Sequence, residues 1–205
     1  LLAGALAGLA DKPKVLLSGS AIGFYGDGGD AELTEAADPG SGFLVDLVTE
    51  WEAAAAPADD AGIRTAFLRT GLVLSSEGGA LAEQLPFFKL GLGGRIGSGQ
   101  QFLSWITLDD QIGAILHLLE HDVSGPVNLT APHPVRNIEF TKALGAALRR
   151  PTLIPIPRLA LDLRLGKQAV DEMLMASQRI IPEVLLSTGY EFEHETIDAA
   201  MEALL

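Results

Sequence analysis

The chain has 205 residues, with 14 Lys and Arg against 27 Asp and Glu, a formal net charge of −13. Hydrophobic residues make up 48% and charged residues 20%. That is ample apolar material for a packed core and excludes a disordered, solvating chain. The acidic balance gives no basic surface for a nucleic-acid backbone or an anionic membrane. With no cysteine, disulfides, thiolate catalysis and thiolate metal sites are excluded as well.

Leu1 to Ala10 (LLAGALAGLA) lacks the positive segment of a secretory signal and reads as an ordinary packed helix. Lys14 to Ser18 is a short apolar run ending at glycine, the pattern of a buried strand. Gly26 to Ser41, rich in Asp, Gly and Pro, reads as a long loop. Phe43 to Ala56 carries Phe43, Leu44, Leu47, Val48 and Trp51 at helical spacing. Ile63 to Leu68 is a second strand, closed by Arg69-Thr70-Gly71, and Leu72 to Leu74 continues it.

Gly91 to Gly99 holds five glycines in nine residues and predicts irregular backbone. Phe102 to Thr107 is strand-like, and Thr107-x-x-Asp110 reads as a capping box opening a helix that runs to about His121. Gly125 to Thr130 is a third buried strand. Asn137 is placed as the cap of a helix ending at Arg149-Arg150. Pro151 to Pro157 alternates apolar residues with prolines, as an edge strand does. The remainder reads as short helices broken near Pro182 and Gly189. Strands alternating with helices predict an α/β fold with a parallel sheet, and the last stretch a mostly helical lobe.

Gly19, Gly23 and Gly26 follow the first strand with the spacing G-x-x-x-G-x-x-G, not the dinucleotide fingerprint G-x-G-x-x-G. Asp27-Gly28-Gly29-Asp30 follows, a poor helix start with two carboxylates that repel a pyrophosphate. The motif is therefore not a first phosphate-binding turn.

Five stretches together carry a family pattern: SGSAIGFYG (Ser18–Gly26), LVTEWEAAA (Leu47–Ala55), LRTGLVLSSEGGAL (Leu68–Leu81), FFKLGLGGRIGSGQQFLSWITLDD (Phe87–Asp110) and GPVNLTAPHPVRNIEFTKALGAALRRP (Gly125–Pro151). In that order and spacing, the chain resembles the extended and atypical short-chain dehydrogenase/reductase superfamily, more closely its nucleoside-diphosphate-sugar epimerase-like branch. The resemblance implies the C-terminal part of a Rossmann-type doubly wound parallel sheet with a smaller, mostly helical substrate lobe. Residues 1–73 and 105–131 would supply late strands and helices of the NAD(P)-binding domain, and 74–104 and 132–205 the substrate-binding lobe. Lys14–Ser18 would be a fifth strand, and the chain a C-terminal fragment without the glycine-rich half, about 90 residues.

The resemblance also implies roles. Dehydrogenases of the superfamily pair a Tyr with a Lys four residues later, one helical turn away, so that the lysine lowers the tyrosine's pKa. Tyr25 and Tyr190 are the chain's two tyrosines, followed at that distance by Gly29 and His194, and the helix from Gly42 to Leu47 has neither Tyr nor Lys. Ser20 and Tyr25 remain as catalytic candidates, Ser20 to hydrogen-bond the substrate oxygen or simply to cap the turn, Tyr25 to donate a proton or to pack. Ser18, Gly19, Arg69, Thr70, Gly71, Leu72 and Val73 are the cofactor-side candidates, through backbone close to the nicotinamide. Arg95, Gln101, Trp105 and His133 are the substrate-side candidates, Arg95 for a phosphate or carboxylate. Asp110 is read as a helix cap and Asp109 as solvated.

His117 and His121 share a helical face but have no third ligand, so no metal site is expected. Neither a G-x-S-x-G elbow nor a Walker motif is present. The expectation is an NAD(P)-dependent epimerase-like oxidoreductase, with NADP ahead of NAD, acting on a sugar nucleotide or other small carbonyl or hydroxyl substrate. It would be cytoplasmic and possibly a homodimer. The competing reading is an NAD(P)-binding regulatory or scaffold protein without turnover. A third, a free-standing module binding through its open sheet edge, is disfavoured because such an edge aggregates.

Overall fold

The structure, a computed structural model, describes residues 1–205. Helix α1 (Leu2–Ala7) leads into strand β1 (Val15–Ala21), which ends in a 3-10 turn over Ile22–Tyr25. After the short strand β2 (Glu32–Leu33) come α2 (Phe43–Ala53), α3 (Ala56–Asp60) and strand β3 (Arg64–Thr70). Next are β4 (Leu72–Leu74), α4 (Gly79–Lys89), β5 (Phe102–Leu103), β6 (Trp105–Thr107), α5 (Leu108–Glu120) and β7 (Gly125–Leu129). The rest comprises β8 (Val135–Arg136), α6 (Asn137–Ala147), α7 (Arg158–Leu165), α8 (Lys167–Ala169), a π-helical turn (Val170–Met175), β9 (Arg179–Ile180), α9 (Glu183–Ser187) and α10 (Ile197–Leu204).

Strands β1, β3 and β7 form one parallel sheet in the order β1-β3-β7. Parallel strands need crossovers, supplied by α2–α3 and by α4–α5. On one face α5 buries Ala114 and Leu118 against Ala66, Leu68, Val127 and Leu129. Each fully buried leucine contributes about 1.5–3 kcal/mol. On the other face Ala3, Ala58 and Ile63 join α1 and α3 beside the sheet, and Val48 of α2 packs with Phe24, Tyr25 and Ile180. A second core holds Leu81, Phe88, Trp105, Phe140, Leu144 and Met201, gathering α4, α6 and α10. No helix is long and apolar enough to cross a membrane.

Four expectations are corrected. Leu72–Leu74 does not continue β3; beyond Gly71 it becomes β4, paired with β6 instead. Phe102–Thr107 is not one strand. Its midpoint Ser104 turns away, its Oγ donating to Gln178 O (2.7 Å) and accepting from Ile180 N–H (2.9 Å). Asn137 is the first residue of α6, not its cap; its Oδ1 accepts from Ile96 N–H (2.7 Å) and ties the glycine-rich loop to the helix. Glu139 accepts from the Arg136 N–H (2.7 Å) at that helix start. Pro151–Pro157 forms no strand; it makes a single parallel bridge, Ile156 to Ile96.

Candidate functional site

The carboxyl ends of the three parallel strands lie level, with Ala21, Thr70 and Leu129 in register across the sheet. Ligands of open parallel sheets bind outside such strand ends. Here β1 runs straight into the 3-10 turn, which buries Phe24 and Tyr25 at 8% and 3% exposure.

Under that turn lies a buried polar network. The Arg69 guanidinium rests on the Phe24 ring, 3.5 Å from its centroid. It donates twice to Glu52 of α2, Nε to Oε1 and Nη2 to Oε2, both at 2.8 Å. Its Nη1 donates to the Tyr25 hydroxyl (3.0 Å), which donates to Asn128 Oδ1 (2.7 Å). Ser20 Oγ donates to Glu52 Oε1 (2.6 Å). Such planar, two-pronged pairing is the strong form of an Arg–carboxylate contact.

Burial pushes the Tyr25 phenol up, with Arg69 pulling the other way, so it stays neutral. Burial alone would raise Glu52; the hydrogen bonds from Arg69 and Ser20 and the guanidinium charge bring it below the ordinary carboxylate value. Glu52 opposes the desolvation of Arg69 and raises its pKa. Glu35, from the loop after β2, accepts from the backbone N–H of Asn128 (3.0 Å) and Val184 (3.3 Å), and its burial raises it.

Three of the candidates, Ser20, Tyr25 and Arg69, are thus brought together, but facing inward. Both sides of the Tyr25 hydroxyl are engaged within the network. Glu52 and Asn128, its other members, were missed by the sequence reading. The available signal was Glu52 beside Trp51 in the LVTEWEAAA stretch, a charge one turn from the buried Val48.

Beside the 3-10 turn opens a cleft of about 390 Å³. One wall is Gly23, Gly26, Ser41, Leu44 and Val45. The other is Arg158 of α7 with Asp171, Glu172, Met175 and Ala176 of the π-helical turn and its end. Leu44 and Val48 are the side chains that α2 presents to Gly23, and the helix carries neither a Tyr nor a Lys. Gly42 leaves α2 without a side-chain cap of its own, and Glu172 Oε2 accepts from the Leu44 N–H (2.8 Å) in its place. The hydrogen bonds from the Leu44 N–H and from Gln168 Nε2 (3.0 Å) hold the Glu172 carboxyl below its usual range. Arg158 is engaged by Asp171 and by Asp162 (3.5 Å).

The remaining candidates are scattered. Ser18 and Gly19 lie in β1, Gly19 exposed. Thr70 Oγ1 accepts from Gln111 Nε2 (3.4 Å). At Gly71 an added Cβ would stand 2.7 Å from Ser104 O and 2.8 Å from Thr130 Cγ2, so only glycine fits. Leu72 and Val73 are half-buried in β4. Arg95 folds back onto Gly97 O of its own loop. Gln101 is buried, its Nε2 donating to Leu174 O (3.1 Å) and its Oε1 without a partner. Trp105 has no accessible surface; it is core, its Nε1 donating to the carbonyl of the exposed His133 (3.3 Å).

Asp110 is fully buried and accepts from Thr107 Oγ1 (2.9 Å), Glu193 N–H (2.8 Å) and His194 N–H (3.1 Å), clamping the chain before α10. Thr107 caps α5 as expected. His117 and His121 stack, 3.8 Å between ring centroids. No group of three or more His, Asp or Glu is placed to hold a metal ion.

An epimerase family protein of Mycobacterium leprae is 44% identical over 189 residues, covering 92% of this chain and 61% of the relative. The human epimerase family protein SDR39U1 is 38% identical over 207 residues, covering all of this chain and 70% of the relative. This chain belongs to the epimerase family. The crystal structure of the human member, determined with NADPH, superposes with a TM-score of 0.93 over 99% of this chain and 69% of that one. A nucleoside-diphosphate sugar epimerase from Corynebacterium glutamicum, 37% identical, matches with a TM-score of 0.77 over 99% of this chain and 40% of its own. The domain of unknown function DUF1731 matches residues 156–204. This epimerase family chain therefore spans less than two thirds of the mycobacterial relative's length. Its α/β architecture is that of the Rossmann-type epimerases.

Proposed function

We propose that this epimerase family chain forms the nicotinamide and substrate side of an NAD(P)-dependent, epimerase-like oxidoreductase acting on a small carbonyl or hydroxyl compound. The observation that carries the reading is the level carboxyl ends of the three parallel strands, with β1 leading through the 3-10 turn to the 390 Å³ cleft at Gly23. The NADPH in the human relative's crystal structure supports the phosphorylated cofactor. The residues fit a nicotinamide at the strand ends. Thr130 Oγ1 and Gln111 Oε1 are buried polar atoms without partners beside Gly71 and Thr70. Bound there, the cofactor would supply or take up a hydride.

In this reading Ser18, Gly19 and Thr70–Val73 approach the nicotinamide through backbone. Arg69, Glu52, Tyr25 and Ser20 act from below, fixing the 3-10 turn and hence one cleft wall. Residues 74–104 and 132–205 form the substrate lobe, with the π-helical turn as the opposite wall.

A second reading, cofactor binding without turnover, is favoured by the lack of any Tyr or Lys on α2 and by the internal engagement of Tyr25. One experiment separates the two. A protein spanning the full length of the relatives is incubated with NADPH deuterated on its nicotinamide and a panel of aldehydes and ketones. The first reading predicts deuterium in an alcohol product. Binding of the cofactor with no deuterium transferred across the panel would favour the second.

A further inference from the structure

The cleft also carries information about what enters it. Its charged lining is Asp27, Asp171 and Glu172 against Arg158 alone, a formal excess of two negative charges. The one guanidinium is not free. Asp171 and Asp162 both pair with it, and it stands on the surface of α7. The N-terminus of α2, which would otherwise favour an anion, is already filled by the Glu172 carboxylate. Between these charges the floor is apolar, made by Leu44, Val45, Met175 and Ala176.

A diphosphate needs the reverse arrangement. A diphosphate placed here lies beside a formal excess of two carboxylate charges, a repulsion that salt weakens because water reaches these side chains. Arg95 cannot relieve this, because its guanidinium is turned onto Gly97 O of its own loop.

We infer that the cleft takes a phosphate-free, partly apolar small molecule, with a cationic substituent preferred over an anionic one, and that it rejects nucleoside diphosphates. The inference rests on the reading of this cleft as the substrate side. It narrows the substrate to hydroxyl or carbonyl compounds such as amino alcohols or amino ketones, their apolar part on Met175 and Leu44 and their cation toward Asp171 and Glu172.

The test follows methionine methyl resonances of the isotope-labelled chain. It has three methionines, Met173, Met175 and Met201. Met175 lines the cleft, whereas Met201 belongs to the α6–α10 core and lines a second cleft with Asp198 and Glu202, so the two resonances report binding at separate places. The probes are UDP-glucose and phenethylamine. The expected result is a saturable shift of Met175 with phenethylamine, weakened by salt, and none with UDP-glucose over the same concentrations.

In Asp171→Asn/Glu172→Gln the charge excess disappears and Arg158 loses one partner. Phenethylamine should then bind about threefold more weakly and UDP-glucose about tenfold more tightly. A gain of UDP-glucose binding cannot come from misfolding, and a Met201 resonance in the same place in both proteins before any probe is added checks the core. Saturable UDP-glucose binding at Met175 of the unsubstituted chain, absence of a phenethylamine shift, or a double variant unchanged toward UDP-glucose would each overturn the inference. None of these readouts uses NADPH, so failure of the cofactor reading shows separately, as absent deuterium transfer.

Discussion

Removing the Glu52 carboxylate should unfold the chain more readily than any other single truncation on α2. In Glu52→Ala the Arg69 guanidinium stays where it is, with a side chain 4% exposed, and loses both carboxylate oxygens while Ser20 loses its acceptor. Breaking one partner of a buried pair costs about 3–5 kcal/mol, because the other charge is left uncompensated. Glu52 keeps 13% of its side-chain surface, so water reaches the vacated place and the lower end applies, about 3 kcal/mol. Arg69→Met removes the charge but leaves Glu52 room to be hydrated, and should cost less. In the double variant Glu52→Ala/Arg69→Met no charge remains buried. It should be more stable than the sum of the singles by at least about 1.5 kcal/mol. Urea unfolding followed by tryptophan fluorescence gives all four corners of the cycle. A Glu52→Ala loss under about 1 kcal/mol, or strictly additive singles, would refute the view that the network is a closed, desolvated unit.

Acid should act through the same carboxylate. The folded-state pKa of Glu52 lies below its ordinary 4.5, so its stabilisation is complete above that value and is lost as pH falls through the folded pKa. Glu35 has the opposite sign: its raised pKa means that protonation on the way down toward 4.5 favours the fold. Unfolding free energies against pH should therefore fall less steeply below 4.5 in Glu52→Gln than in the unsubstituted chain, and a parallel slope would contradict the assignment. Gly71→Ala should cost about 1–3 kcal/mol by thermal or urea unfolding, since its Cβ meets the Ser104 carbonyl, which cannot yield without disturbing β4. Asn137→Ala should lose about 1–2 kcal/mol and speed amide exchange at Ile96, whose N–H it leaves without an acceptor; an unchanged Ile96 rate would show that the loop is held otherwise.

The main sheet was legible because apolar runs bounded by glycine and turn residues need no tertiary knowledge. Lys14–Ser18, Ile63–Leu68 and Gly125–Thr130 all became strands of it, within a few residues. The start of α5 was legible too, because Thr107 carries its own capping chemistry. What failed depended on partners distant in sequence. Leu72–Leu74 looks like the end of a strand until β6 is seen to claim it. Asn137 has a capping residue's side chain, but Ile96, far back in the glycine-rich loop, uses it first. Helix α4 escaped notice, with Gly78 and Gly79 at its start and Pro86 inside it, and it is held by burial of Leu81, Leu85 and Phe88. Within the site, Ser20, Tyr25 and Arg69 were found from the family pattern, while Glu52 and Asn128 were not. Nothing local marks a helix glutamate or a strand asparagine as the missing half of a buried network.

The central claim, that the carboxyl ends of β1 and β3 receive the nicotinamide, is tested most directly by hydrogen exchange. The measurement compares a protein spanning the full length of the relatives with and without NADPH, read peptide by peptide. A nicotinamide at those strand ends slows exchange at Ala21–Tyr25 and Thr70–Val73, with little change in α10. NADPH binding that leaves both strand ends unprotected would contradict it.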